Sequence, residues 1–327
     1  DLPDFQQRKG LYVNHSNLCS EITLPTNDER TAVCCLSSVN LEYFDEWENH
    51  PSFIPDLVRF LDNVLESFIN NAPDQLEKAK YSAYRERSIG LGTMGFHAYL
   101  QKLGIPFEGL SASNINYGIF EHIKTQAMEE TRKLAVERGA CPDDDTCQVR
   151  NAHLLAIAPN ASSSIICGNT SPSIEPFRAN AYTQKTKSGS FLQKNKFLEK
   201  LLEKYEMNDE KTWRDIVTNK GSVQHLTFLT DEEKEVFKTA VEINQSWLIE
   251  HASQRQQFIC QSQSLNLFFP PDVSKKDLHN VHMLAWAKNL KTLYYLRSEA
   301  ISRADTVSNE VKREIIFEQQ DCLSCEG

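Results

Sequence analysis

A thiol, a carboxylate and an amide stand close together near the start of the chain. Asn17, Cys19 and Glu21 alternate along one short segment. Because alternate side chains of an extended segment share a face, we expect the three to project into one small volume. A neighbouring carboxylate disfavours a thiolate, so this group suits hydrogen-atom chemistry at the sulfur, beside a general base. A buried structural cysteine beside surface polar residues is the alternative that the pattern leaves open.

Two adjacent cysteines, Cys34 and Cys35, follow this segment. Neighbouring residues of a strand face opposite ways, so at most one of the two can join Cys19. Burial as a small hydrophobic side chain is the usual explanation for such cysteines.

A CxxC pair, Cys322 and Cys325, stands two residues before the last residue of the sequence. It could be half of a zinc site, but the sequence offers neither a second CxxC nor a His pair at suitable spacing. A dithiol that exchanges with a disulfide in a partner is the favoured interpretation.

Small and hydroxyl-bearing residues follow the apolar run His153–Ala158, where we expect a strand to give way to a helix. Such a junction can hold a phosphate on its backbone N–H groups without a lysine, although serine-rich turns usually only cap helices. The candidate phosphate-binding residues are Pro159, Asn160, Ala161, Ser162 and Ser163.

Gly90, Gly92 and Gly95 form a GxGxxG pattern. A dinucleotide site would need a strand immediately before it, and the polar residues 84–88 do not predict a buried strand. We therefore interpret residues 90–103 as a glycine-opened helix whose glycines permit close packing.

Tyr294 and Tyr295 form an aromatic pair late in the chain. Core packing is the common role of such residues. Adjacent tyrosines also suit stepwise radical transfer, but nothing in the pair itself demands it.

Helices alternating with short apolar strands must position these residues, and this alternation predicts an α/β protein. Strands are expected at 153–158 and 291–296. A helix is expected after Pro55, with one apolar face made by Leu57, Leu61, Val64, Leu65 and Phe68. Further helices are expected over about 115–138, from a Thr230/Glu233 capping box toward Gln256, and from Ser274 to about Lys291. We expect one domain over residues 1–297 and a mobile polar tail over 298–327.

Composition limits the class of protein. The 327 residues carry a formal net charge of −10, which disfavours a nucleic acid polymer as a partner. No apolar run approaches the roughly 20 residues needed to cross a bilayer. The nine cysteines are irregularly spaced, unlike a secreted disulfide framework, so we expect a cytoplasmic protein.

Taken in order, these motifs resemble the large, catalytic (alpha) subunit of class I ribonucleotide reductases. The resemblance spans nearly the whole chain and rests on Asn17–Glu21, Cys34–Ser37, Arg87–Gly92, Ala158–Ser163, Ser173–Pro176, Gln261–Ser264, Lys291–Tyr295 and the terminal CxxC. It implies the second half of a ten-stranded α/β barrel, with an internal finger loop, surrounding helices and a flexible C-terminal tail. On this interpretation the GxGxxG glycines belong to the scaffold.

The resemblance also implies roles for the residues around the thiol. Cys19 would become a thiyl radical and take the 3′ hydrogen of a ribonucleotide. Glu21 would accept the 3′-hydroxyl proton, and Asn17 would hydrogen-bond in the same site. Cys34, which keeps the family's spacing to Leu36-Ser37, would be one of two cysteines that reduce the intermediate and close into a disulfide; the role of Cys35 stays open.

The remaining motifs would serve this centre. Residues 159–163 would hold the substrate phosphates. Tyr295 and Tyr294 would pass the radical to Cys19 from a small subunit that carries a metal-based radical. Cys322 and Cys325 would reduce the active-site disulfide and be restored by thioredoxin or glutaredoxin.

The resemblance covers only the C-terminal half of that subunit. We therefore expect a separate N-terminal half to be needed for conversion of ribonucleoside diphosphates to deoxyribonucleotides, the start at Asp1 being consistent with a split or excised product. No cofactor or metal is expected on this chain itself. The alternatives are a fragment of a cobalamin-dependent class II reductase, a non-catalytic thiol-bearing assembly subunit and, third, a nicotinamide dehydrogenase.

Overall fold

The computed structural model describes residues 9–186 and 189–298. Its first two strands are β1 (Leu36–Asn40) and β2 (Gly90–Met94), which pair in parallel. The buried segment 153–158 lies beside β2 through a parallel bridge between Leu155 and Leu91. The buried strand expected at this place is therefore present.

The sheet continues in chain order beyond this segment. Ile157 forms a parallel bridge with Gln263, and the Tyr294 N–H donates to the Leu265 carbonyl at 2.9 Å. Two short strands, Leu267–Phe268 and Leu296–Arg297, then pair in parallel and are labelled β5 and β6 below. Five parallel extended segments side by side in chain order form half of an α/β barrel, as the family resemblance implied.

Helices connect and cover these segments. They are α1 (Phe44–Trp47), α2 (Phe53–Asn71), α3 (Glu77–Glu86), α4 (Phe96–Lys102), α5 (Leu110–Arg138), α6 (Ala161–Ile166), α7 (Lys196–Lys204), α8 (Glu210–Thr218), α9 (Asp231–Val236), α10 (Gln245–Gln256) and α11 (Lys275–Ala287). An antiparallel hairpin of β3 (Ala181–Thr186) and β4 (Gly189–Lys194) lies between α6 and α7. No helix in the described part of the chain is long and apolar enough to span a membrane.

The main core lies between the sheet and the long helices. On α2, Ile54, Val58, Leu61 and Leu65 are buried, which confirms the helix predicted after Pro55. Val64 was expected on the same face, but its side chain is exposed. A smaller apolar cluster holds the hairpin against α7, α8 and α9.

A buried ionic cluster ties α2 to the ends of its neighbours. The Asp62 carboxylate accepts from Arg87 Nε at 3.1 Å and Arg138 Nη1 at 2.9 Å, with Arg150 Nε at 3.3 Å. The positive charges of Arg87 and Arg150 outweigh burial and lower the pKa of Asp62. Because Arg87 and Arg150 come just before β2 and the 153–158 segment, the cluster fixes where these strands begin.

The GxGxxG segment was assigned to the wrong kind of element. Residues 90–94 are strand β2, buried along its whole length, and the helix begins only at Phe96. A Cβ on Gly92 would lie 2.5 Å from the Ala156 carbonyl oxygen. These glycines therefore permit close packing between strands, not the close helix packing that we expected.

Two predicted lengths also differ from the structure. Thr230 and Glu233 do form a capping box, but their helix ends at Val236 and a separate helix starts at Gln245. The segment 291–296 lies beside the sheet as expected, although its regular strand covers only Leu296–Arg297. The helix expected from Ser274 is present and ends at Ala287.

Candidate active site

The segment that carries Cys19 is a turn and not the extended stretch that we expected. The Ser20 N–H donates to the Asn17 carbonyl at 3.1 Å, and Ser20 has a left-handed φ of 69°. Such a backbone is uncommon for a non-glycine residue and persists where surrounding contacts hold it. Alternation along an extended segment therefore does not bring these side chains together.

Contacts with the 261–265 segment bring the thiol and the carboxylate together instead. The Ser262 N–H donates to the Glu21 carbonyl at 2.9 Å. The Ser264 hydroxyl contacts both the Cys19 carbonyl and, at 3.0 Å, Oε2 of Glu21. Cys19 is 4% exposed and Glu21 3% exposed, so both lie in a buried site against the sheet.

Asn17 organises the loop around this site. Its Oδ1 accepts from the Ile22 N–H at 3.0 Å and from the Ser16 hydroxyl at 3.3 Å. The described contacts of the amide oxygen are therefore within the loop, and they hold the turn that carries Cys19 and Glu21.

The two adjacent cysteines face opposite ways, as predicted for neighbouring residues. Cys35 is buried in the main core, with its thiol 3.5 Å from the Leu61 carbonyl. Cys34 is exposed to solvent. Partial withdrawal from water, followed by the negative charges of Glu21 and Cys19, raises the pKa of Cys34 to about 11. Of the two cysteines, Cys34 is thus the one on which the charges of Glu21 and Cys19 act.

The tyrosine pair reaches the same thiol. The rings of Tyr294 and Tyr295 have centroids 4.0 Å apart, and the Tyr294 side chain is hydrogen-bonded to both Tyr295 and Cys19. Burial, then these hydrogen bonds, raises the pKa of Tyr294, so its phenol stays protonated at neutral pH. Tyr295 is 40% exposed. A continuous path of two phenols therefore leads from the molecular surface to the buried sulfur.

The predicted phosphate-binding segment lies where the 153–158 segment ends. Asn160, in a left-handed conformation, precedes the short helix α6, and its amide donates to the Ser38 hydroxyl at 2.9 Å and the Thr93 carbonyl at 3.2 Å. The first intrahelical bond runs from the Ser164 N–H to the Asn160 carbonyl. The N–H groups of Ala161, Ser162 and Ser163 come before that bond and have no partner within the helix.

Two further residues, Ser264 and Arg297, lie at the site although the sequence pattern indicates no role for either. Ser264 belongs to a motif that we recognised, and a hydroxyl in a buried strand must find a hydrogen-bond partner, which was the available signal. Arg297 lies with its guanidinium carbon 4.5 Å from the centroid of the Tyr295 ring. That contact depends on the pairing of β6, which the local pattern did not indicate.

Some predictions cannot be placed. Cys322 and Cys325 lie outside the described residues, as does most of the predicted tail. Within residues 9–186 and 189–298, no group of three or more His, Cys, Asp or Glu side chains is positioned to hold a metal ion.

The comparisons with known proteins agree on one family. The profile described as "Ribonucleotide reductase, barrel domain" matches residues 4–148 and 145–296. The large subunit of ribonucleoside-diphosphate reductase from Invertebrate iridescent virus 3 is 49% identical over the whole chain, which corresponds to 52% of that protein. The putative large subunit from Frog virus 3 is 47% identical over 98% of the chain, covering 57% of that protein.

A solved structure agrees with these sequence matches. The alpha subunit of the Actinobacillus ureae class Id ribonucleotide reductase superposes with a TM-score of 0.86 at 41% identity, over 91% of this chain and 56% of that one. The chain therefore spans about half the length of the relatives it matches.

Proposed function

Because this chain belongs to the ribonucleotide reductase barrel-domain family, we propose that it supplies the radical-bearing half of a ribonucleoside-diphosphate reductase large subunit. The observation that carries the proposal is the path Tyr295–Tyr294–Cys19, which ends at a buried thiol beside the Glu21 carboxylate. A cobalamin enzyme would generate its radical in place and would not need such a path. The predicted class I chemistry is therefore favoured over class II.

The proposed reaction uses each group in turn. A hydrogen atom moves from Cys19 to the oxidised phenol of Tyr294, which leaves a thiyl radical. That radical takes the 3′ hydrogen of the ribonucleotide, while Glu21 accepts the proton of the 3′ hydroxyl. The 2′ hydroxyl then leaves as water with a proton from one of two thiols, and these thiols close into a disulfide as a hydrogen atom reaches C2′. The proton on Glu21 returns to O3′ and the hydrogen on Cys19 returns to C3′, which restores the thiyl radical.

Cys34 is the proposed contributor of one of those two thiols. It lies near enough to Cys19 and Glu21 for their charges to raise its pKa. A thiol that stays protonated can deliver a hydrogen atom, which suits a reductant of a radical intermediate. The second thiol would come from the N-terminal half, and the dithiol Cys322/Cys325 would reopen the disulfide with electrons from thioredoxin or glutaredoxin.

Substrate binding is proposed at the junction around α6. The backbone N–H groups of residues 161–163 can donate to phosphate oxygens. Asn160 holds this junction against Ser38 and the Thr93 carbonyl. We assign the diphosphate of a ribonucleoside diphosphate to this place.

The open edge of the sheet and the exposed Tyr295 suggest where two partner chains bind. Among the described residues β1 pairs with β2 alone, and it is only half-buried where β2 is buried throughout. An exposed edge strand offers unpaired N–H and C=O groups to another chain. We propose that an N-terminal half of the large subunit covers this open side and completes the barrel, and that a radical-generating small subunit docks where Tyr295 reaches the surface.

Reconstitution tests this function. The chain is combined with the N-terminal half of a curated relative, a small subunit and thioredoxin, and deoxycytidine diphosphate formed from cytidine diphosphate is measured. Turnover is expected only when all parts are present. Failure of the complete mixture would contradict the proposed function, and turnover without the N-terminal half would contradict the need for a second half.

A further inference from the structure

Ser264 has two acceptors within reach of a single hydroxyl hydrogen. Its Oγ lies 3.0 Å from Oε2 of Glu21 and also contacts the carbonyl oxygen of Cys19. Ser264 is fully buried, and Cys19 and Glu21 are nearly so. A serine hydroxyl has one O–H to donate, so Ser264 can donate to only one of these oxygens at a time.

The protonation state of Glu21 decides which oxygen receives the hydrogen. A carbonyl only accepts, and an ionised carboxylate also only accepts. With Glu21 ionised, the charge-assisted bond is the stronger one, so the hydroxyl points to Glu21. With Glu21 protonated, its Oε2 loses the charge and becomes the weaker acceptor, so the Ser264 hydrogen turns to the Cys19 carbonyl.

We propose that Ser264 is a positioning residue that relays the protonation state of Glu21 to the backbone of Cys19. This inference rests on the proposed function, in which Glu21 takes the proton of the 3′ hydroxyl. As the proton moves from O3′ to Glu21, the Ser264 O–H turns from Glu21 to the Cys19 carbonyl. No covalent bond of Ser264 breaks in this step, and the turn that carries Cys19 gains a hydrogen bond while the substrate radical is present.

Two other ionisable side chains, Cys34 and Tyr294, lie near Glu21 and Cys19. The charges of Glu21 and Cys19 act on the Cys34 thiol, and Tyr294 is hydrogen-bonded to Cys19. The pKa values of Cys34 and Tyr294 are both raised, so these two groups remain protonated below pH 9. The neighbouring strand contributes only the hydroxyl of Ser264 and the N–H of Ser262 to the described contacts of Glu21.

An infrared pH titration of the whole chain tests the relay without any turnover. The carboxylic acid C=O band of Glu21 is assigned by its loss in Glu21→Gln. In Ser264→Ala the ionised form of Glu21 loses a hydrogen bond, so we expect the midpoint of this band to move up by about one pH unit. Ser264→Thr keeps a hydroxyl and should retain the wild-type midpoint.

Labelling of the cysteine carbonyls reads the other end of the relay. In [1-¹³C]cysteine-labelled chain, one labelled carbonyl band should shift in step with the Glu21 titration, and Ser264→Ala should abolish that shift. Ser262→Ala is the matched control, because it removes a buried hydroxyl from the same strand without touching the Glu21 carboxylate. It should leave both signals unchanged.

An unchanged midpoint in Ser264→Ala, or a carbonyl shift that persists in that variant, overturns the relay. Either result leaves the proposed reductase function standing. Conversely, a failed reconstitution contradicts the reductase function and leaves the infrared result intact, so the two failures are distinguishable.

Discussion

The phenol of Tyr294 and the thiol of Cys19 are hydrogen-bonded to each other, although one lies near the end of the chain and the other near its start. The segment after α11 and the turn at residues 17–20 meet over the 261–265 segment, which binds both. Leu265 accepts from the Tyr294 N–H, and Ser264 contacts the Cys19 carbonyl. The 261–265 segment therefore sets the distance between the phenol of Tyr294 and the thiol of Cys19, over which a hydrogen atom would move.

Replacing Tyr294 with Phe should stop turnover while leaving substrate binding unchanged. The variant keeps the ring that packs on Tyr295 but removes the hydroxyl that bonds to Cys19. We expect deoxyribonucleotide formation in the reconstituted enzyme to fall to background. The matched control is Tyr84→Phe, which removes the hydroxyl of an exposed tyrosine and should keep full activity. Normal turnover by Tyr294→Phe would contradict the radical path.

Alkylation of Cys34 should depend steeply on pH. With a pKa of about 11, roughly one Cys34 in a thousand is a thiolate at pH 8, and only the thiolate reacts. We expect the rate of iodoacetamide labelling at Cys34, measured by peptide mass spectrometry, to rise about tenfold per pH unit up to about pH 11. A plateau near pH 8.5 would contradict this account.

Removing the charge of Glu21 tests whether that charge raises the pKa of Cys34. A negative charge beside a thiol opposes thiolate formation, so Glu21→Gln should lower the pKa of Cys34 and speed its labelling several-fold at pH 8. Glu29→Gln is the control, since Glu29 is an exposed residue of the same segment that does not act on Cys34. Equal labelling rates in Glu21→Gln and wild type would show that Glu21 does not face Cys34.

Two glycine substitutions should change stability in opposite directions. In Gly92→Ala the new methyl group would meet the Ala156 carbonyl at 2.5 Å, so the strands must separate. We expect a loss of about 2–4 kcal/mol in the free energy of unfolding. In Gly118→Ala, within α5, nothing lies within 4 Å of the new Cβ, and a gain of about 0.5–1 kcal/mol is expected.

Urea denaturation followed by circular dichroism measures both differences. A stable Gly92→Ala variant would mean that β2 and the 153–158 segment pack less closely than the structure shows. The opposite signs also exclude a general effect of replacing glycine.

The sequence predicted what depends on local pattern and motif order. The helix after Pro55 and the buried run at 153–158 are present, and the α/β class follows from their alternation, whereas the half-barrel was implied by the family resemblance. The family resemblance was read from motifs spread over the chain, and the similarity to known reductases confirms it.

The errors have a common physical origin in contacts between distant segments. Gly92 was predicted to lie in a helix because the local sequence does not show that it packs against the Ala156 carbonyl, which belongs to a distant segment. Cys19 and Glu21 were expected to meet by alternation, whereas the 261–265 segment brings them together around a turn. Ser264 was missed because its two acceptors lie in a loop far from it in the sequence. The periodicity of a short stretch of sequence does not reveal contacts between distant segments.

Two cysteine variants in the reconstituted enzyme test whether Cys19 is the residue that abstracts hydrogen from the substrate. Cys19→Ser removes the sulfur that would carry the radical, and Cys147→Ser removes an exposed sulfur from a loop. We expect Cys19→Ser to bind cytidine diphosphate as wild type does but to form no deoxycytidine diphosphate, while Cys147→Ser retains full turnover. Deoxycytidine diphosphate formation by Cys19→Ser at a rate near that of wild type would contradict the assignment of Cys19 as the hydrogen-abstracting residue.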